Sequence, residues 1–146
     1  MFPPPRSARP TNRHFRASAR TTAAPATVWK LWTDVPNWKR WDEGLEDAHL
    51  TGPFTAGATG NIIAGGRSTG FTVSHLEPGK AYTITSKLPL GKLHVHRVLD
   101  VNSTGTQLTH EVWFTGPAAL VFAALFGRKF RAMLPSVVEK VKTLTQ

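Results

Sequence analysis

From Pro117 to Thr143 the chain repeats apolar residues at helical spacing. Phe122, Phe126, Phe130, Met133 or Leu134, Val137, Val141 and Leu144 fall on one stripe. Arg128, Lys129, Arg131, Glu139, Lys140 and Lys142 fall largely on the other side. Gly116-Pro117 marks the start, because proline is tolerated in a first helical turn. Pro135 interrupts the stretch and predicts a kink at about Met133. Such a helix is roughly 40 Å long, and its stripe must be buried. The rest of the chain reads as short strands, so the partner is one curved sheet wrapped around the helix. An interior built this way is either filled or used to bind.

A length of 146 residues fits one domain with a genuine core. The longest uninterrupted apolar run, Ala118 to Phe126, is far too short to span a membrane. The absence of cysteine excludes thiol nucleophiles, disulfides and thiolate metal sites. Redox logic does not fix the compartment, and a cytoplasmic location is the simplest default. The net charge of +9 resembles a nucleic-acid signal until it is mapped. Arg6, Arg9, Arg13, Arg16 and Arg20 all precede the first acid, Asp34, which leaves about +4 for the remainder. No stacking-aromatic motif accompanies them, so a solvated basic tail is expected rather than specific nucleic-acid binding. A weak contact with anionic membrane is the other use for such charge.

Residues 1–12 are rich in proline and arginine and read as a disordered tail, leaving 13–146 as a single domain. From His14 to Thr22, Phe15, Ala17 and Ala19 alternate with His14, Arg16, Ser18 and Arg20, which predicts a strand with one buried face. Ala24-Pro25-Ala26 opens a short helix carrying Val28, Trp29, Leu31 and Trp32, and Pro36 starts a second helical turn holding Trp38 and Trp41. These four tryptophans read as a hydrophobic plug at one end of the sheet; the alternative, compatible with it, is that one or two of them also wall a cavity. Strands are then predicted over 46–50, 60–64, 70–76, 81–87, 93–101 and 106–115, each ended by glycine, proline or asparagine turn chemistry. Strands joined by short turns make an antiparallel meander of about seven strands.

A four-residue turn in the last hairpin pairs Val101 with Thr106, Leu99 with Leu108, Arg97 with His110 and Val95 with Val112. That face is apolar apart from Arg97 and His110, so it points inward. The opposite face pairs His96 with Glu111 and Asp100 with Gln107, and is expected to be a solvated surface.

The order strand, two short helices, six strands and a long C-terminal helix resembles the helix-grip α+β fold of the START/Bet v 1-like (SRPBCC) superfamily. The stretch AAPATVWKLWTDVPNWKRWDEGLEDAHLTGPFTAGATG is similar to the opening of bacterial polyketide cyclase/dehydrase-like proteins. STGTQLTHEVWFTGPAALVFAALFGRKFRAMLPSVVEKVKTL is similar to their closing hairpin and helix. The resemblance covers about residues 14–144 and implies an apolar cavity between sheet and helix, used for lipids, polyketides or other hydrophobic ligands. It carries over no catalytic position.

His94 and His96 share a strand face at a spacing that could ligate zinc, but the register turns them outward with no cysteine near, so they read as surface histidines and no metal is expected. The chain has no G-x-S-x-G elbow, no HExxH and no phosphate-cradling glycine loop before a helix, and nothing calls for a cofactor. Gly57 and Gly60 read as turn or bulge positions. Arg97 and His110 form the constellation with chemical content. An inward histidine can act as general acid or base, and the arginine can bind a carboxylate or stabilise an enolate. The bland alternative is that Arg97 snorkels to solvent and His110 is a hydrogen-bonded core residue. Buried, Arg97 would need a partner, and its own strand face offers no acid.

The favoured function is binding of a hydrophobic small molecule by a monomer or homodimer. The candidate ligand-contacting residues are Trp38, Trp41, Phe71, Tyr82, Val95, Arg97, His110, Val112, Phe114, Phe122, Phe126 and Phe130. A cyclase- or dehydratase-like enzyme using His110 and Arg97 is the first alternative. An interaction module using the arginine tail and Arg128, Lys129 and Arg131 is the second.

Overall fold

A computed structural model describes residues 14–146, so the tail expected over 1–12 lies outside the described residues. Strand β1 (His14–Thr21) leads into helix α1 (Pro25–Thr33) and a 3-10 helix (Val35–Arg40). Six strands follow: β2 (Asp47–Leu50), β3 (Thr59–Ala64), β4 (Arg67–Glu77), β5 (Ala81–Leu88), β6 (Gly91–Asn102) and β7 (Gly105–Thr115). Helix α2 (Ala119–Thr145) closes the chain. The strands form one antiparallel sheet in the order β1-β7-β6-β5-β4-β3-β2, the meander of a helix-grip fold.

The β6–β7 register carries the four inward pairs and both outward pairs expected from the turn. Arg97 faces His110 across β7 and Tyr82 across β5, which brings three polar groups side by side on an otherwise apolar face. A register shift between Val73 and His75 interrupts the β4–β5 ladder.

Helix α2 buries Ala123, Leu134, Val137, Val138 and Val141 against the sheet. It continues through Pro135, which is exposed, so the proline's missing N–H falls on the solvent side. The helix comes so close to β1 that a Cβ at Gly127 would stand 3.0 Å from the Phe15 ring. Two apolar clusters fill the interior. One gathers Trp32, Trp38, Trp41, Phe71, Tyr82 and Val137, and the other joins Phe15, Val112, Phe114, Ala123 and Leu134.

The tryptophan plug is locked by one carbonyl. Trp32 lies in the last turn of α1, where backbone acceptors lack helical donors. Its oxygen accepts the Trp38 indole N–H at 2.8 Å and the Tyr82 hydroxyl at 2.7 Å, tying both helical segments to the sheet.

The outward face needs a correction. His94, His96 and Glu111 point outward as expected, yet they are buried rather than solvated. The cause is Trp113 on the same face, which stacks on His94 at 5.1 Å and His14 at 5.7 Å and meets His96 edge-on at 6.4 Å. Beneath this cover His94 bonds Thr85 and Thr115, His96 bonds Thr83, and Glu111 accepts from His14 at 2.8 Å.

Gly60 is a strand residue rather than a turn, pairing with Leu50 and Phe71, while Gly57 takes the turn conformation at φ 87°. A Cβ at Gly60 would fall 2.2 Å from the His49 carbonyl oxygen and 2.7 Å from the Phe71 ring. Gly60→Ala is expected to lower unfolding free energy by about 1–3 kcal/mol, measured by urea denaturation.

Candidate functional site

Between the sheet and α2 lies a cavity of about 150 Å³. Its wall is apolar over Leu45, Ile62, Ile84, Val95, Phe130 and Met133, and Trp38 closes the end nearest the plug. Three charged groups reach it: Arg97 from β6, Asp42 from the segment after the 3-10 helix, and Lys129 from α2. Lys129 is exposed yet lines the cavity, so the space reaches the surface beside it.

Arg97 is buried, and its environment explains how. The guanidinium lies against both Trp38 and Trp41, 4.9 and 4.7 Å from their ring centres, with Tyr82 at 5.5 Å. Aromatic faces stabilise a desolvated cation through their quadrupoles. Its Nη1 donates to the Tyr82 hydroxyl at 2.7 Å, and its Nη2 stands 3.9 Å from Asp42 Oδ2. Arg97 therefore stays inside, and its acid comes from a loop distant in sequence.

Burial raises the Asp42 carboxyl above its usual range, against the opposing pull of Arg97. Burial likewise pushes the Tyr82 phenol up, which keeps it protonated to bond the Trp32 carbonyl. His110 is held well below its ordinary value, first by burial and then by the charge of Arg97. It is a neutral imidazole at physiological pH. Its ring packs edge-on to Trp32 at 5.3 Å and Trp41 at 5.7 Å.

Four buried polar atoms in this neighbourhood have no hydrogen-bond partner among the described residues: Arg97 Nε, His110 Nε2, Trp32 Nε1 and Trp41 Nε1. Buried donors ordinarily find an acceptor. The first belongs to a cavity-lining side chain, and the other three stand behind it.

Of the residues nominated from sequence, Trp38, Val95, Arg97 and Phe130 line the cavity. Trp41 and Tyr82 hold Arg97 from behind, Phe71 supports Trp38 at 5.4 Å, and His110 lies against the tryptophans. Val112, Phe114 and Phe122 belong to the second apolar cluster, and Phe126 is partly exposed. Sequence reasoning passed over Asp42, Gly44, Leu45, Ile62, Ala64, Ile84, Leu93, Lys129 and Met133 as cavity walls. The signal for Asp42 was the unmet need of an inward Arg97 for an acid. Among the described residues no group of three histidine, aspartate or glutamate side chains could hold a metal ion.

A seven-stranded antiparallel sheet gripping a C-terminal helix over an apolar cavity defines a helix-grip protein. Over residues 12–144 the chain belongs to the polyketide cyclase/dehydrase and lipid transport family. Among solved structures it is similar to the di-domain ARO/CYC StfQ from the steffimycin biosynthetic pathway, with TM-score 0.73, 11% identity, and coverage of 92% of this chain and 51% of that one. It is also similar to MLL2253 of Mesorhizobium loti, with TM-score 0.70, 21% identity and coverage of 90% and 96%. CV1439 of Chromobacterium violaceum gives TM-score 0.63, 17% identity and coverage of 92% and 98%. At these identities the likeness shows the fold alone. Comparison with curated proteins finds no match.

Two outcomes follow from these contacts. Tyr82→Phe keeps the ring but leaves an Arg97 N–H without its acceptor and takes one donor from the Trp32 carbonyl, and thermal or urea unfolding should show a loss of about 1–3 kcal/mol. His94, whose two ring nitrogens meet Thr85 and Thr115, is lowered to about 4 by burial and then by Lys92. Above its ordinary value the imidazole is neutral in both folded and unfolded states. As pH falls from 6.5 toward about 4, the unfolded chain takes a proton that the folded site refuses, so stability declines. The pH dependence of unfolding free energy for His94→Gln should be shallower across that window by about one proton.

Proposed function

We propose that this protein binds a hydrophobic small molecule carrying a carboxylate or similarly acidic oxygen, of lipid, polyketide or aromatic type. The apolar body sits between sheet and α2, and the polar end meets Arg97. The observation that carries the reading is Arg97 itself. A buried, fixed guanidinium lines an apolar cavity and retains an N–H without a partner among the described residues. Asp42 balances the cation at 3.9 Å without forming a hydrogen bond to it. A few directed polar groups in an otherwise apolar pocket are the usual basis of orientation and specificity.

A cavity of about 150 Å³ holds a single aromatic ring or a short acyl segment. Longer ligands extend through the opening beside Lys129. A cyclase-type reaction would need His110 at the bound carbonyl. The imidazole lies off the cavity lining, so binding is the reading the geometry favours.

The test compares a phenylalkanoate with the matching phenylalkanol by titration calorimetry or chemical-shift mapping. The acid should bind about tenfold or more tightly, since hydrogen bonds to charged groups are the stronger ones. Arg97→Met should abolish that preference while leaving the alcohol bound, and a variant that still folds and prefers the acid contradicts the reading. Ile84→Trp should fill the cavity and remove binding of both.

A further inference from the structure

The first two turns of α2 expose an apolar surface. Leu120 is 64% exposed, Val121 57% and Leu125 67%, with Phe126 at 39%. Leu120, Val121 and Leu125 point away from the sheet, on the helix face that becomes cationic one turn later at Arg128, while Phe126 at its edge turns back toward Phe114 of β7. The β5–β6 turn stands beside them, because the Ala118 N–H donates to the Leu90 carbonyl at 2.9 Å. Leu90 at the tip of that turn is 74% exposed and holds φ at 58°, a left-handed conformation that leucine rarely adopts. Lys87 and Lys92 flank the same tip, paired across the hairpin and exposed. From Val112 to Val138 the chain contains no acid.

We propose that this end of the molecule docks on an anionic phospholipid surface, with Leu90, Leu120, Val121 and Leu125 entering the bilayer interface. Several large aliphatic side chains concentrated at one end, rimmed only by cations in the local sequence, match a surface with an apolar interior and negative headgroups. An acidic protein partner would satisfy the cations but has no equal need for so much projecting aliphatic surface. The docked end also leads inward. Phe126 stacks on Phe122 at 6.2 Å and on Phe114 at 6.3 Å, and Phe114 meets Phe130 at 6.0 Å. Phe130 lines the cavity. An aromatic path thus joins the proposed membrane contact to the candidate ligand site. Docking itself does not require that site to be occupied.

Flotation of the full chain tests the proposal, using vesicles of phosphatidylglycerol and phosphatidylcholine in equal amounts and vesicles of phosphatidylcholine alone. The protein should float with the anionic vesicles at low salt and be released as salt rises. Leu120→Gln with Leu125→Gln changes only exposed positions, and should weaken binding by roughly tenfold per leucine. Arg128→Gln should weaken it roughly fivefold at low salt. The chain has no cysteine, so Leu90→Cys accepts a single environment-sensitive dye. Its emission should shift to the blue on vesicles, while a dye on Ser136→Cys, farther along the exposed helix face, should not respond. Failure to float overturns the proposal. Flotation undiminished in the leucine variant also overturns it, by assigning attachment to charge elsewhere. A leucine-dependent dimer that ignores vesicles overturns it in favour of self-association. Each variant is also titrated with the phenylalkanoate, so loss of docking and loss of ligand binding are read separately.

Discussion

The burial of one cation organises the candidate site. Arg97 sits on the inner face of β6, where its neighbours along the strand are Val95 and Leu99. A guanidinium there is tolerable only if its charge and its N–H groups are met. Trp38 in the 3-10 helix and Trp41 at its end supply aromatic faces, Tyr82 supplies an acceptor, and Asp42 supplies the opposing charge. The segment between β1 and β2 therefore does more than plug the end of the sheet. It makes Arg97 possible, and Tyr82 and Trp38 share the Trp32 carbonyl that holds it in place.

The helix sets what remains of the interior. Where α2 meets β1 the packing is tight, with Gly127 against Phe15, and farther along Val137, Val138 and Val141 close over the tryptophan cluster. Between the two apolar clusters the sheet and helix leave the cavity, walled by Ile84 and Val95 below and by Phe130 and Met133 above. Its polar wall is then the Arg97 assembly. A buried cation facing an apolar space is the arrangement on which the proposed recognition of an acidic, otherwise apolar ligand rests.

Much of this was legible in the sequence. Turn residues at regular intervals marked the meander, and the short β6–β7 turn fixed the register that brings Arg97 opposite His110. What strand alternation cannot supply is depth. It placed His94, His96 and Glu111 on the outer face, but the two histidines are covered by Trp113, and Glu111 lies under His14 and Arg16. Nor does periodicity reveal partners across sequence, so Asp42 could be sought only through the charge left unbalanced on Arg97. The helical stripe was right in its C-terminal half. Near its start the buried line runs through Ala123 and Gly127, which leaves Phe126 partly exposed. The stripe puts Lys129 on the solvated face and not at the cavity, yet a lysine on such a face can still reach into a cavity along its flexible stem.

The central proposal is that Arg97, a buried cation lining the cavity, meets an acidic oxygen of the ligand. The most direct measurement is the Nε–H resonance of Arg97 by 15N-resolved NMR, with and without a saturating phenylalkanoate. The account predicts a resolved signal, protected from solvent exchange, that moves downfield and becomes more protected when the carboxylate binds. A signal that exchanges like that of a solvent-exposed arginine, or that is unchanged by a ligand shown to occupy the cavity, would contradict it.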